Sequence, residues 1–252
     1  MKIGIIPARY ASTRFPGKPL ALIENKPMIL HVYDRCKEAD LDDIFVATDD
    51  ERIKNVVEKF GGKVIMTDPH HVSGTDRSAE AARLLNLADN DIVINIQGDE
   101  PFIRKEEINL LLNMFENNKN QIVTLCKPIY TEEELLNPNK VKVVFSKSNK
   151  ALYFSRSPIP HTSHLLPHTS HLTPHTSHLS AQTSYKHIGI YGFRNNILQQ
   201  ITKLPVSTLE ETEKLEQLRW LQNDFDIYIQ ICHYESLSID TPEDLIQLTI
   251  NN

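Results

Sequence analysis

Three cations crowd one short loop. The stretch "PARYASTRFPGKP", residues 7–19, carries Arg9, Arg14 and Lys18 together with Gly17. Such a set suits a polyphosphate. Arginine forks grip phosphate oxygens in pairs, lysine neutralises as a point charge, and glycine lets backbone N–H groups approach. The loop follows neither GxxxxGK[ST] nor GxGxxG, and a plain basic surface loop would carry the same residues. Two carboxylates further along complement it. Asp99, in "NIQGDEP" (95–101), stands just past an apolar run. A carboxylate there suits Mg2+, which takes one or two carboxylates plus phosphates and water, although Gly98-Asp99 also reads as an ordinary turn. Asp240, in "SIDTPEDL" (238–245), precedes Thr241-Pro242 and by itself reads as an N-cap. Paired with Asp99 it becomes a candidate second ligand, because nucleotidyl transfer needs Mg2+ bridged between protein and phosphates.

Two further groups carry polar chemistry. "SGTDR" (73–77) opens a helix, where Ser73, Arg77 and the first N–H groups can meet a base or ribose; a capped helix start has the same composition. In "KHIGIYGFR" (186–194), His187 and Tyr191 fall at alternate strand positions and share a face. In "EKLEQLR" (213–219), Glu213 and Gln217 are spaced i, i+4 on one expected helix. These four suit a pocket for a hydroxylated substrate, and equally a packed strand and a solvated helix face.

The tract "PHTSHLLPHTSHLTPHTSHL" (160–179) repeats one heptapeptide three times and holds six of the eleven histidines. Histidine-rich tracts often bind transition metals. Here a proline opens each unit, so no stable helix aligns the rings. No Asp, Glu or Cys lies between Pro160 and Tyr185 to complete a ligand set. The expected form is a solvated loop insertion over 160–180.

Composition limits the partners. The 252 residues are 40% hydrophobic and 24% charged, as in an ordinary globular protein, and carry a net charge of −6. That charge argues against a nucleic-acid partner, which calls for a basic face, and leaves an anionic substrate to a local cationic cluster. The apolar run in "MKIGIIPAR" is too short for a signal peptide, and no run reaches membrane-spanning length. Three scattered cysteines, Cys36, Cys126 and Cys232, read as buried reduced thiols. The expected setting is the cytoplasm, with no membrane partner.

The elements that position these groups alternate. Apolar runs at 3–6, 44–49, 63–66 and 91–99 are expected strands, separated by helices from Pro27, from Asp49, from Ser73 and over 104–117. A βαβαβαβ order argues for a mostly parallel sheet flanked by helices, with ligands beyond the carboxyl ends of the strands. The loops with Arg9 and Asp99 both lie at such ends. Beyond residue 128, "VKVVF", "ALYFS" and "HIGIYGF" read as a small antiparallel lobe. The expected division is 1–128 with 194–252 as an α/β domain and 129–193 as the lobe. A helix over "STLEETEKLEQLRWLQ" starts at Ser207 with a capping box to Glu210.

Taken in order, "IIPARYASTRFPGKPL", "VATDDE", "SGTDR", "NIQGDEPFI", "NPNKVKVV", "ALYFSRSPIP", "HIGIYGFR", "LEQLR" and "DTPEDL" resemble the 3-deoxy-manno-octulosonate (Kdo) cytidylyltransferase family, over residues 3 to about 247. The resemblance implies transfer of CMP from CTP to the anomeric hydroxyl of Kdo, with release of pyrophosphate and a need for Mg2+. It implies a nucleotide-diphospho-sugar-transferase-like α/β fold whose small lobe serves homodimerisation. Arg9, Arg14 and Lys18 would hold the phosphates, with Lys18, Arg14 and Asp99 as the catalytic set. Lys18 would stabilise charge on the α-phosphate. Asp99 and Asp240 would hold Mg2+; Gln97, Ser73 and Arg77 would sit near the nucleotide. His187, Tyr191, Glu213 and Gln217 would line the sugar site, with Arg156 at its edge. The heptapeptide tract matches no motif of the family. An 8-amino Kdo analogue or a nonulosonic acid is the rival sugar. A non-catalytic metal binder working through its histidines is the rival of another class.

Overall fold

The computed structural model describes residues 1–11, 15–161, 184–234, 239 and 241–245. In chain order the first elements are β1 (Lys2–Ala8), β2 (Leu22–Ile23), β3 (Lys26–Pro27), α1 (Met28–Cys36), β4 (Asp43–Thr48), α2 (Glu51–Lys59), β5 (Val64–Met66), α3 (Gly74–Leu84), β6 (Ile92–Asn95) and α4 (Lys105–Met114). There follow β7 (Ile122–Pro128), α5 (Glu132–Leu136), β8 (Lys142–Phe145), β9 (Ala151–Ser155), β10 (Tyr185–Arg194), α6 (Asn195–Ile201), α7 (Thr208–Glu213), α8 (Gln217–Gln222) and β11 (Ile227–Ile231). The described residues fall into two compact units.

The first unit comprises the described residues of Met1–Ile122, Ile190–Lys203 and Tyr234–Asn252. Its sheet is mostly parallel. β1 pairs with β4 on one side and β6 on the other, and β4 pairs with β5, all parallel. The end of β10 pairs antiparallel with β6, Tyr191 opposite Asn95. Ile3, Ile5, Ile6, Val46, Val93 and Ile94 are almost wholly buried, as expected of strands covered on both faces. α1 and α3 pack on this sheet, presenting Met28, Ile29, Val32 and Cys36, and Ala79, Ala81 and Ala82. The α1 helix begins at Met28 rather than Pro27. Pro27 closes the short β2–β3 hairpin and stands at the N-cap with φ −54° and ψ 138°, outside the helical region.

The second unit comprises the described residues of Val123–Gly189 and Leu204–His233. β8 pairs antiparallel with β9 and with the start of β10, Tyr185 opposite Val143. This is the small antiparallel sheet expected from the alternating runs after residue 128. The expected single helix from Ser207 is two helices. Ser207 and Glu210 do form the capping box that starts α7, but Lys214 takes a left-handed conformation, φ 54° and ψ 45°, and ends it. α8 starts three residues later. Glu213 and Gln217 therefore do not sit one turn apart on a common helix.

The cysteines are free and buried, and burial pushes the Cys126 thiol up to about 12. No helix among the described residues is long and apolar enough to cross a membrane. Arg14, Asp240 and all but the opening Pro160-His161 of the histidine tract lie outside the described residues.

Candidate functional site

The carboxyl ends of β1 and β6 open into a cavity of about 250 Å3 within the first unit. Arg9, Lys18, Ser73, Arg77, Gln97 and Asp99 all line it. They arrive from three stretches: the basic loop, the start of α3 and the loop after β6. Arg9 follows β1. Lys18 opens a short 3-10 turn, Lys18–Leu20, set up by Gly17 at φ 73°, a left-handed position that glycine takes without strain. The Gly17 N–H donates to the Tyr10 carbonyl at 2.9 Å, drawing the ends of the basic loop together. Gln97 and Asp99 flank Gly98. A side chain at Gly98 would come within 3.1 Å of the Pro7 carbonyl oxygen, so glycine lets the two strand-end loops touch.

Lys18 is the hub. Its Nζ donates to Asp99 Oδ2 at 2.6 Å and to the Ile239 carbonyl at 3.1 Å. The Ile239 N–H in turn donates to the Asp99 carbonyl at 2.9 Å. Ile239 itself is buried in a small apolar cluster with Ile23 and Met28, against Phe15 and Leu245. Ile239 is thereby anchored where its backbone meets both Lys18 and Asp99. The Lys18 and Asp99 side chains are 16% and 25% exposed, so the pair is accessible to an incoming anion or cation.

Ser73 caps α3. Its Oγ accepts from the Asp76 N–H at 3.1 Å and donates to Asp76 Oδ2 at 2.9 Å. Ser73 thus both caps the helix and lines the cavity, with the positive end of α3 at the cavity wall. Arg77, one turn on, is only 3% exposed. It forms an ion pair with Asp49 at 3.1 Å and donates to Thr67 Oγ1 at 2.5 Å. Asp49 and Thr67 were not singled out from sequence, nor was His71, which lines the cavity beside Val72. Asp49 did fall within the motif VATDDE, and 67 directly follows the apolar run at 63–66.

The residues assigned to a sugar pocket divide between the units. Tyr191 lies in the first unit, 8% exposed, its ring stacked on Phe193 at 5.8 Å. In the second unit, Glu213 gathers the β9 end. It accepts from Ser155 Oγ at 2.7 Å and from the Arg156 N–H at 2.9 Å. Arg156 returns the contact, donating through Nε to the Glu213 carbonyl at 2.8 Å and so satisfying the end of α7. Lys142, fully buried, donates to the carbonyls of Asn137 and Arg156 and steadies the same corner. Gln217 is 6% exposed at the start of α8.

His187 packs edge-on against Phe154, 5.0 Å between ring centroids. Burial pulls its pKa down to about 3, so the ring is neutral at pH 7. Thr124 donates its single hydroxyl hydrogen to the Ile188 carbonyl at 3.2 Å. Thr124 Oγ1 also lies 3.0 Å from His187 Nε2, within hydrogen-bond distance.

A strand-end cavity with three described cations and an accessible carboxylate defines a nucleotide-handling α/β protein. A family model described as Cytidylyltransferase matches residues 3–229. A 3-deoxy-manno-octulosonate cytidylyltransferase of Thermodesulfovibrio yellowstonii is 52% identical over 249 residues, spanning 96% of this chain and 94% of its own. An 8-amino-3,8-dideoxy-manno-octulosonate cytidylyltransferase of Shewanella pealeana is 48% identical over 244 residues, 96% of this chain and 94% of its own. A solved structure of CMP:2-keto-3-deoxy-manno-octonic acid synthetase complexed with CTP superposes with a TM-score of 0.87 at 40% identity, covering 99% of this chain and 97% of that one. The chain belongs to the cytidylyltransferase family.

Proposed function

We propose that the protein transfers CMP from CTP to 3-deoxy-manno-octulosonate, giving CMP-Kdo and pyrophosphate. The observation that carries this is the meeting of Arg9, Lys18, Arg77 and Asp99 in one strand-end cavity. That cavity suits a nucleoside triphosphate, and the 52% identical relative supports the sugar. In the reaction the sugar's anomeric oxygen bonds to the α-phosphorus, the bond to the pyrophosphate oxygen breaks, and the hydroxyl proton passes to solvent. Arg9, with Arg14, draws the phosphates in. Lys18 is tethered at two points and stays fixed while charge grows on the α-phosphate, so it costs no reorganisation. Ser73, Arg77 and Gln97 hold the nucleoside end.

The chemistry of Asp99 fits a hard cation. Its carboxylate already carries an ammonium at 2.6 Å, is a quarter exposed, and faces the phosphate-binding cations. Asp99 with Asp240 would hold Mg2+, which when bound supplies charge neutralisation and Lewis acidity at the phosphates. The neutral His187, Arg156, Glu213, Gln217 and Tyr191 are assigned to the sugar. The antiparallel lobe at 129–193 is assigned to a homodimer contact. A cytoplasmic setting belongs to the same reading, supported by three free buried thiols.

The test is pyrophosphate release from CTP with Mg2+ and a panel of acid sugars. Release that requires Kdo and Mg2+ is expected. Preference for the 8-amino analogue would move the substrate to the one named in the 48% identical relative. No release with any acid sugar would overturn the reading.

A further inference from the structure

Asp49 lies outside the set of residues lining the cavity, yet it is bound to one that does. Arg77 reaches the cavity from α3 as a nearly buried cation beside Arg9. Burial, above all, and then the Arg9 charge pull its pKa down, while Asp49 pulls it back up. A buried guanidinium facing another arginine holds one geometry only when an anion and hydrogen-bond acceptors hold it there. Asp49 and Thr67 do so from the ends of two adjacent strands, β4 and β5.

Both partners are anchored by backbone. The Thr67 N–H donates to the Thr48 carbonyl at 2.9 Å, continuing the strand register past its end. On the other side of Asp49, the Asp50 N–H donates to Thr48 Oγ1, and the Asp50 side chain caps α2 by accepting from the Arg52 N–H at 2.9 Å. Asp49 is thereby fixed between a fully buried Thr48 and a helix cap, with no flexible linker between it and the sheet.

We propose that Asp49 is a positioning residue for nucleotide binding, orienting Arg77 at the cavity wall through its ion pair while Thr67 holds the opposite guanidinium nitrogen. The inference rests on the proposed CTP-binding role of the cavity. It assigns Asp49 no contact with substrate; its effect passes through Arg77. Loss of the carboxylate leaves Arg77 free to turn towards solvent or to be repelled by Arg9, and the cavity loses a pre-set donor before CTP arrives.

The test compares Asp49→Asn, Asp49→Glu, Arg77→Met and the double variant Asp49→Asn/Arg77→Met. KM for CTP, KM for the sugar and kcat are measured, with CTP binding followed separately by calorimetry. Asp49→Asn is expected to raise KM and Kd for CTP about tenfold, with kcat and the sugar KM within about twofold of wild type. Asp49→Glu should recover part of the loss. Introducing Asp49→Asn on top of Arg77→Met should have no further effect, because the two side chains act as one unit. A rise shared equally by both substrates, an unchanged CTP affinity, or additive losses in the double variant would each overturn the inference. Should Asp49→Asn fail to fold, Thr67→Val reads the same guanidinium from its other side. It is then expected to raise KM for CTP about threefold with the sugar KM unchanged, and no change would overturn the inference. The wild type separates the two readings. If it neither binds CTP nor releases pyrophosphate with any acid sugar, the proposed function fails. If it does both and Asp49→Asn matches it, the inference alone fails.

Discussion

His187 makes the stability of this protein respond to mild acid, and the size of the response follows from its surroundings. The ring lies against Phe154 and Thr124, and burial depresses its pKa to about 3. An unfolded chain offers the same ring to water, with a pKa of about 6.5. Below pH 6.5 the unfolded state takes up a proton that the folded state refuses. Stability contributed by the neutral ring is therefore complete above pH 6.5, and falls as pH drops from there towards about 3. Each pH unit in that window costs about 1.4 kcal/mol for a fully shielded group. Between pH 6.5 and 5.0 the loss is about 2 kcal/mol at most, and the partial exposure of the ring lowers it. The assay is urea unfolding of wild type and His187→Gln at pH 7.5 and 5.0. Glutamine keeps an amide that can hydrogen-bond Thr124 in either direction and does not titrate. Other titrating groups cancel in the difference, so wild type should lose about 1–2 kcal/mol more than the variant. Imidazole nitrogen chemical shifts should show His187 neutral down to pH 4. Parallel pH responses of the two proteins, or titration of His187 near pH 6.5, would refute the reasoning.

Other outcomes follow from the same geometry. Asp99→Asn should cut Mg2+-dependent pyrophosphate release by about 100-fold or more, the scale of losing one electrostatic stabiliser, and a variant with near-normal turnover would remove Asp99 from the site. Lys214→Gly should stabilise the folded protein by about 0.5–1 kcal/mol in thermal unfolding, because Lys214 occupies a left-handed position that costs a side chain but not glycine. Excising one heptapeptide, residues 167–173, should leave kcat and both KM values within about twofold, because the tract matches no motif of the family. A large loss would bring the histidines back into the mechanism.

Much of this protein was legible without its fold. Apolar runs bounded by turn residues placed β1, β4, β6 and the loops beyond them, because a buried strand must be continuously apolar and its backbone must leave the sheet where polarity begins. The strand-end rule singled out the loops with Arg9, Lys18 and Asp99, the helix start offered Ser73 and Arg77, and the family resemblance added Gln97; one cavity gathers all six. The family motifs carried the reaction class.

The pairings belonged to the tertiary structure alone. Lys18 meets Asp99 across 81 residues and Ile239 across 221, contacts that no local period encodes. Arg77 looked like one more cation for phosphate until Asp49 and Thr67 appeared on it. The break at Lys214 carried no glycine, proline or asparagine to announce it. It lies instead where Arg156 Nε and Nη2 take the carbonyls of Glu213 and Lys214. Local sequence sets which segments become strands and helices, since that depends on spacing a few residues long. Which charge compensates which depends on distances that exist only once the chain has closed on itself.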